Sequence, residues 1–280
     1  VIRAFKDASD FKTWIEVGVL WLLIAVLLRD DLASLWDAWV ERPDTSHGML
    51  VPAITCFLLW KKLREPDGYP LEPSVRGLVF FLSAALIYLI GSAGFVFSLK
   101  MAGFVGMFIG IPWCCAGEAF MKRVWFPFFF LFLMIPIPAS IVDAVSFPLR
   151  VVFTRLATSI LHWLSIPVLQ EGNLLVFPRL TLEVAQECSG IRSLQAYAVL
   201  AVLFAYLLGP GAGVLARAGM LVLAVPLAVA VNVARIVGTG IVAYYLDMDI
   251  TRGVLHSSAG LTVFLVGFAV YCLVFSALKK

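Results

Sequence analysis

The sequence predicts an all-α polytopic integral membrane protein with about eight transmembrane helices, an outer amphipathic helix and a small β-hairpin. Three observations lead there. Of the 280 residues, 62% are hydrophobic and 14% charged, where a soluble domain carries about 45–50% apolar and about 25% charged residues. The mean hydropathy is +0.98. The apolar residues also come as long runs rather than as stripes. Together these exclude a soluble enzyme, a disordered chain and a nucleic-acid binder working through a basic patch. Lys+Arg 21 against Asp+Glu 18 leaves only +3, too small a surplus to call for a polyanionic partner. The expected partner is the lipid bilayer, and no nucleic acid is expected.

A membrane-crossing helix needs about 20 mostly apolar residues. Eight stretches qualify: 13–28, 48–60, 76–97, 101–121, 124–142, 189–209, 217–237 and 257–278. The second is short and is extended by a polar entry, Asp44-Thr45-Ser46-His47. The first contains Glu16 and is followed by no small-residue cleavage pattern, so it reads as a retained helix rather than a signal peptide. No repeat is visible, and residues 1–280 read as a single transmembrane domain. Its outer-face cap is expected over 143–188 and its site helices over 188–278.

Lys and Arg in the short connections set orientation. With the helices alternating across the membrane, one side collects 12 of the 21 basic residues, including Lys61-Lys62, Lys122-Arg123 and Lys279-Lys280. Both termini are therefore expected on the cytoplasmic side of the inner membrane. The longest connection, 143–188, falls outside. Ser146, Arg150, Thr154, Thr158 and His162 recur there every four residues among apolar neighbours, the pattern of a helix lying in the interface. Glu171-Gly172-Asn173 is a turn signal, and Leu180–Val184 alternates with period two, which predicts the hairpin. Glu118 is expected to pair with Lys122.

The chemistry collects at one depth. Cys188 opens the sixth helix, which runs inward to Gly209. The seventh runs outward from Arg217 to Arg235, and the eighth runs inward from His256 to Lys279. Separations of 21, 18 and 23 residues each span about 27–35 Å, one bilayer crossing. A thiol, a guanidinium and an imidazole thus share the outer end of three consecutive helices. A helix N-terminus or a nearby cation lowers a thiol's pKa, and the thiolate attacks carbonyls. Histidine passes a proton to a leaving amine, and arginine stabilises an oxyanion. The set is complete for acyl transfer through a thioester.

Each residue also has an ordinary role: a packed cysteine, a capping histidine, an interfacial arginine anchor. His47 and His162 face outward too, and spacing alone does not choose among the three histidines. No local ligand pair points to a metal, and nothing calls for an organic cofactor.

Glu187-Cys188-Ser189-Gly190-Ile191-Arg192-Ser193, Asn232-Val233-Ala234-Arg235-Ile236 and His256-Ser257-Ser258-Ala259-Gly260, in that order, resemble the exosortase/archaeosortase family. Ser46-His47-Gly48 and Met134-Ile135-Pro136-Ile137-Pro138 add to the resemblance, which covers about 45–278. The resemblance implies a membrane cysteine peptidase or transpeptidase. Its substrates would be membrane-anchored exported proteins whose C-terminal sorting signal has a motif such as Pro-Glu-Pro, a transmembrane helix and a basic cluster. It makes Cys188 the nucleophile, Arg235 the oxyanion stabiliser and His256 the acid/base. Glu187, Ser189, Arg192, Asn232 and His47 become supporting or substrate-binding residues, and an exopolysaccharide-linked acceptor is one possible second partner. A different class remains open: a non-enzymatic transporter or assembly subunit for exopolysaccharide export, in which Asn232, Arg235 and His256 bind a polar cargo. Such a protein should tolerate Cys188→Ser.

Overall fold

The computed structural model describes residues 8–65, 70–185, 189–246 and 254–279, with the helix backbone alone at 8–10 and 254–259. The chain packs as two compact units, Val1–Pro138 and Ala139–Lys280.

The first unit holds α1 (Ala8–Leu27), α2 (Arg29–Glu41), a 3-10 turn (Ser46–Met49), α3 (Leu50–Leu63), α4 (Val75–Ala93), α5 (Phe97–Phe130) and a second 3-10 turn (Leu131–Met134). The α1–α2 pair bends by 74°. The 34 residues of α5 form two helical arms broken at Gly117, which is non-helical with φ 84 and ψ -169. A straight helix would hold Ser98 and Pro136 about 57 Å apart, yet Ser98 Oγ donates to the Pro136 carbonyl at 2.5 Å. The chain therefore doubles back at Gly117, and the expected spans 101–121 and 124–142 fall on the two arms. Glycine is required at the reversal because φ is positive and a Cβ would collide with the Glu72 carbonyl.

Charged groups gather at this reversal. Arg123 donates to the carbonyls of Lys62 (3.1 Å) and Glu65 (3.0 Å). Glu118 accepts from Ser74 and from Arg76, each at 3.2 Å. The expected Glu118–Lys122 pair is thus corrected: helix α4 starts beside Glu118 and supplies a guanidinium across the two helices. Glu16, unexplained in the sequence, lies 3.8 Å from Lys12 one turn earlier on exposed surface. At the other end of this unit Tyr88 Oη donates to Asp31 Oδ2 at 2.5 Å, and Lys100 pairs with the same carboxylate. Between the ends, Trp21 stacks on Phe108 at 4.4 Å. Helices α4 and α5 approach through glycines: a Cβ on Gly103 would sit 2.6 Å from Tyr88 Cα, and one on Gly110 2.8 Å from Phe81 Cβ. Small residues permit such close approach where lipid removes the hydrophobic drive.

The second unit holds α6 (Ala139–Trp163), β1 (Leu169–Glu171), β2 (Leu174–Val176), β3 (Thr181–Glu183), α7 (Ile191–Leu207), α8 (Val214–Leu246) and α9 (Val254–Leu278). The expected hairpin is part of a three-stranded antiparallel sheet, β1-β2-β3, in which Leu175 pairs with Leu182 and Gly172 turns β1 into β2 at φ +62. Its buried side chains join Phe153, Ala157 and Leu161 of α6 and Val233, Ile236 and Val237 of α8 in one core. At 33 residues, about 50 Å, α8 is longer than a bilayer core of about 30 Å. Its last third packs on that core.

Five described helices are long and apolar enough to cross a membrane, or six counting the α1–α2 pair. That is fewer than the eight expected. With 14 and 17 residues, α3 and α7 reach only about 21 and 26 Å, and the two arms of α5 count together.

The expected outer helix over 143–166 falls largely within α6. By length and composition α6 is also long and apolar enough to cross a membrane; on its polar line Ser146, Thr154 and Thr158 are buried, Arg150 is half-buried and His162 is exposed. Phe147, Val152, Leu156 and Trp163 are exposed, and so, besides His162, are Asp143, Arg155 and Ser159.

Candidate functional site

The three motifs meet through glycines. Gly190 caps the start of α7 with φ 72, in the left-handed region. A Cβ there would lie 2.6 Å from Phe153 Cε2 and 3.2 Å from Asn232 Nδ2. The Ser189-Gly190 turn is therefore pressed between α6 and α8. One turn beyond Asn232, the guanidinium of Arg235 lies on α9. A Cβ on Gly260 would stand 2.9 Å from Arg235 Cζ, 3.1 Å from Nη2 and 3.2 Å from Nε. The Arg235 carbonyl accepts from Thr239 Oγ1 at 3.0 Å, so α8 stays helical through this point.

Further along, the same three helices stay in register. Tyr197 Oη donates to the Phe264 carbonyl at 2.9 Å, and Tyr271 Oη to the Met220 carbonyl at 2.5 Å. At the far end Arg217 Nη2 donates to the Gly209 carbonyl at 2.6 Å. Helices α7 and α9 thus run antiparallel to α8, with Gly190, Asn232, Arg235 and Gly260 at one common end.

Glu187 and Cys188 lie outside the described residues, and Cys188 precedes Gly190 by two positions. For His256 the helix backbone is described: the position falls four residues before Gly260, on the same face of α9. Ser189 is 1% exposed, and its Oγ has no hydrogen-bond partner among the described residues. Asn232 is 2% exposed. Arg192, in the first turn of α7, is exposed. His162 Nε2 lies 2.6 Å from the Val168 carbonyl oxygen, which ties down the turn after α6.

His47 belongs to the first unit. Burial holds its pKa below the ordinary histidine value, against opposing contacts with Asp44 and the Leu133 backbone. The adjoining Gly48 lies under Trp39, whose Nε1 donates to the Met134 carbonyl at 3.0 Å. This links the two 3-10 turns of the unit.

Sequence reasoning assigned no role to Gly190, Gly260 or Phe153. The signals were a glycine at a helix start and another one turn after His256, both inside motifs already noted.

Long apolar helices with exposed aliphatic faces, a small sheet and polar groups gathered at one helix end define a polytopic α-helical membrane protein. The model of the family described as transmembrane exosortase matches residues 39–273. This chain belongs to that family. No curated protein and no solved structure matches it.

Proposed function

We propose that the protein is a membrane-embedded cysteine peptidase or transpeptidase that cleaves C-terminal sorting signals of exported proteins. The observation carrying this reading is the junction of Gly190, Asn232, Arg235 and Gly260. It gathers the chain next to Cys188, the Arg235 guanidinium and the His256 turn of α9 at one helix end. The family's name points the same way, toward sorting-signal processing.

In this reading the Cys188 thiolate attacks the scissile carbonyl carbon. It lies just before α7, whose first N–H groups favour negative charge. Arg235 donates to the tetrahedral oxyanion. Collapse breaks the C–N bond, the amine leaves with a proton from His256, and a thioester remains. An amine acceptor or water then attacks the thioester, His256 takes its proton, and the thiolate departs. Ser189, Asn232 and Glu187 support the turn, while Arg192 is offered to substrate. An exopolysaccharide-linked group is one acceptor that fits. We place the catalytic end on the outer face of the inner membrane and both termini in the cytoplasm. The chain acts as one transmembrane domain with eight crossings, made by the α1–α2 pair, α3, α4, each arm of α5, α7, α8 and α9, with α6 as the outer helix. The basic cluster at Lys62 and Arg123 supports that orientation.

Co-expression with a tagged exported protein ending in a Pro-Glu-Pro-type signal tests the reading. Wild type should release the tagged fragment, and Cys188→Ala and Cys188→Ser should not. Cleavage equal in all three would remove the thiol from the reaction.

A further inference from the structure

Helix α6 carries a second polar feature. On its buried face Ser146 is 1%, Thr154 0% and Thr158 8% exposed. Ser146 Oγ, Arg150 Nε and Thr158 Oγ1 have no hydrogen-bond partner among the described residues. Thr154 Oγ1 donates to the Arg150 carbonyl at 2.7 Å, which leaves its lone pairs free. Enclosed polar groups without partners are strongly disfavoured, above all where no water can reach them. Three of them, at 146, 150 and 158 on one line of the helix, form a row of unused donors.

The row passes beside the candidate site. Phe153, next to Thr154, presses on Gly190 and thus lies near Asn232. Eight residues on, Leu161 lies against Gly240, itself eight residues after Asn232. The two helices therefore run side by side in the same sense. Arg150 and Ser146 accordingly lie on the side of the site that faces the Val214 end of α8.

We propose that Ser146, Arg150, Thr154 and Thr158 form a subsite for an extended polypeptide: the stretch of substrate that follows the scissile bond. This rests on the peptidase reading and deepens it. A peptide bond must leave its helix before a thiolate can reach it, and the freed carbonyls then need donors in apolar surroundings. Four residues of α6 rise about 6.0 Å, and two residues of an extended chain advance about 6.6 Å. Ser146, Arg150 and Thr158 therefore donate to substrate carbonyls in step with the helix, while Thr154, whose proton goes to the Arg150 carbonyl, accepts from a substrate N–H. At rest Ser146 Oγ, Arg150 Nε and Thr158 Oγ1 are enclosed and unpaired among the described residues, and substrate opens the row and satisfies them.

Disulfide crosslinking in a Cys188→Ala background tests this without catalysis. Single cysteines at Thr154 or Thr158 are paired with cysteines walked through the tagged substrate just after its motif. The subsite gives crosslinks at alternate substrate positions, at least tenfold above those from Val152→Cys or Leu156→Cys. Crosslinks repeating every three or four positions mean that the substrate stays helical, and they overturn the proposal. Equal crosslinking from the Val152 and Leu156 positions overturns it too. So does a silent row while Ser189→Cys crosslinks. Silence at Ser189→Cys as well would remove the peptidase reading with it.

The paired substitution Ser146→Ala with Thr158→Val adds a second readout. Removing unsatisfied hydroxyls leaves the melting temperature unchanged or raised, while cleavage falls at least tenfold. Unchanged cleavage would overturn the subsite.

Discussion

Replacing Gly260 by alanine separates a packing role for this glycine from a role in placing Arg235. The new Cβ would stand 2.9 Å from Arg235 Cζ, where carbon atoms normally rest about 3.5–4.0 Å apart. The guanidinium must retreat by about 0.6–1.1 Å. That movement is cheap for the fold, because the displaced group is the far end of a flexible side chain. Alanine in place of glycine inside a helix also contributes up to about 1 kcal/mol of stability. The melting temperature should therefore hold. Catalysis should not: a misplacement near 1 Å costs about 100-fold, and loss of one oxyanion donor about 100- to 1000-fold. The assay is the rate of fragment release from the co-expressed tagged substrate, beside a melting curve in detergent. Gly238→Ala, with open space around the added carbon, is the silent control. Gly267→Ala, whose Cβ would meet Val231 Cγ2 at 2.5 Å, is the destabilised one. Wild-type release by a well-folded Gly260→Ala variant would refute a role for the Arg235–Gly260 contact.

Arg235→Lys keeps the charge and loses the planar fork, so cleavage should fall at least 100-fold with protein level unchanged; near-normal turnover would remove the oxyanion role. Gly190→Ala forces an L-residue to φ 72 and a Cβ to 2.6 Å from the Phe153 ring. With about 1–2 kcal/mol for the left-handed backbone alone, it should lower the melting temperature and the cleavage together, and an unchanged melting temperature would contradict the packing described. His47 gives a pH dependence: its folded pKa lies below the ordinary 6.5 because of burial. Below pH 6.5 the unfolded chain takes up the proton first, so stability is full above that value and declines as pH falls toward the folded pKa. The melting temperature of wild type should therefore drop between pH 7.5 and 5.5 by more than that of His47→Gln, and equal drops would show that His47 contributes nothing.

Much of the architecture was legible because lipid imposes long apolar runs. Val75–Ala93 lies within one such run, and the bilayer-crossing separations pointed to the stretch of α8 that carries Asn232 and Arg235, though not to its continuation to Leu246. Other parts were not legible. The sequence division between the fourth and fifth spans sits at Lys122-Arg123, whereas the chain reverses at Gly117. Charges mark the membrane boundary, but a positive φ marks the turn itself. For α6 the four-residue polar period was evident and its direction was not. Periodicity gives the face but not what the face meets, and here Ser146 and Thr154 turn inward. At the candidate site the reactive types drew notice, while Gly190 and Gly260 had no chemistry to show. What matters at those two positions is the missing Cβ, which becomes visible only once Phe153 and Arg235 are seen against them.

The central claim is that Cys188 carries the acyl group, and intact mass analysis tests it most directly. The protein is purified under acid quench after co-expression with the tagged substrate. The account predicts a fraction of the chain heavier by the mass of the tagged fragment, attached at Cys188, released by neutral hydroxylamine and absent from Cys188→Ala. Full cleavage by Cys188→Ala, or an adduct that maps to another residue, would contradict it.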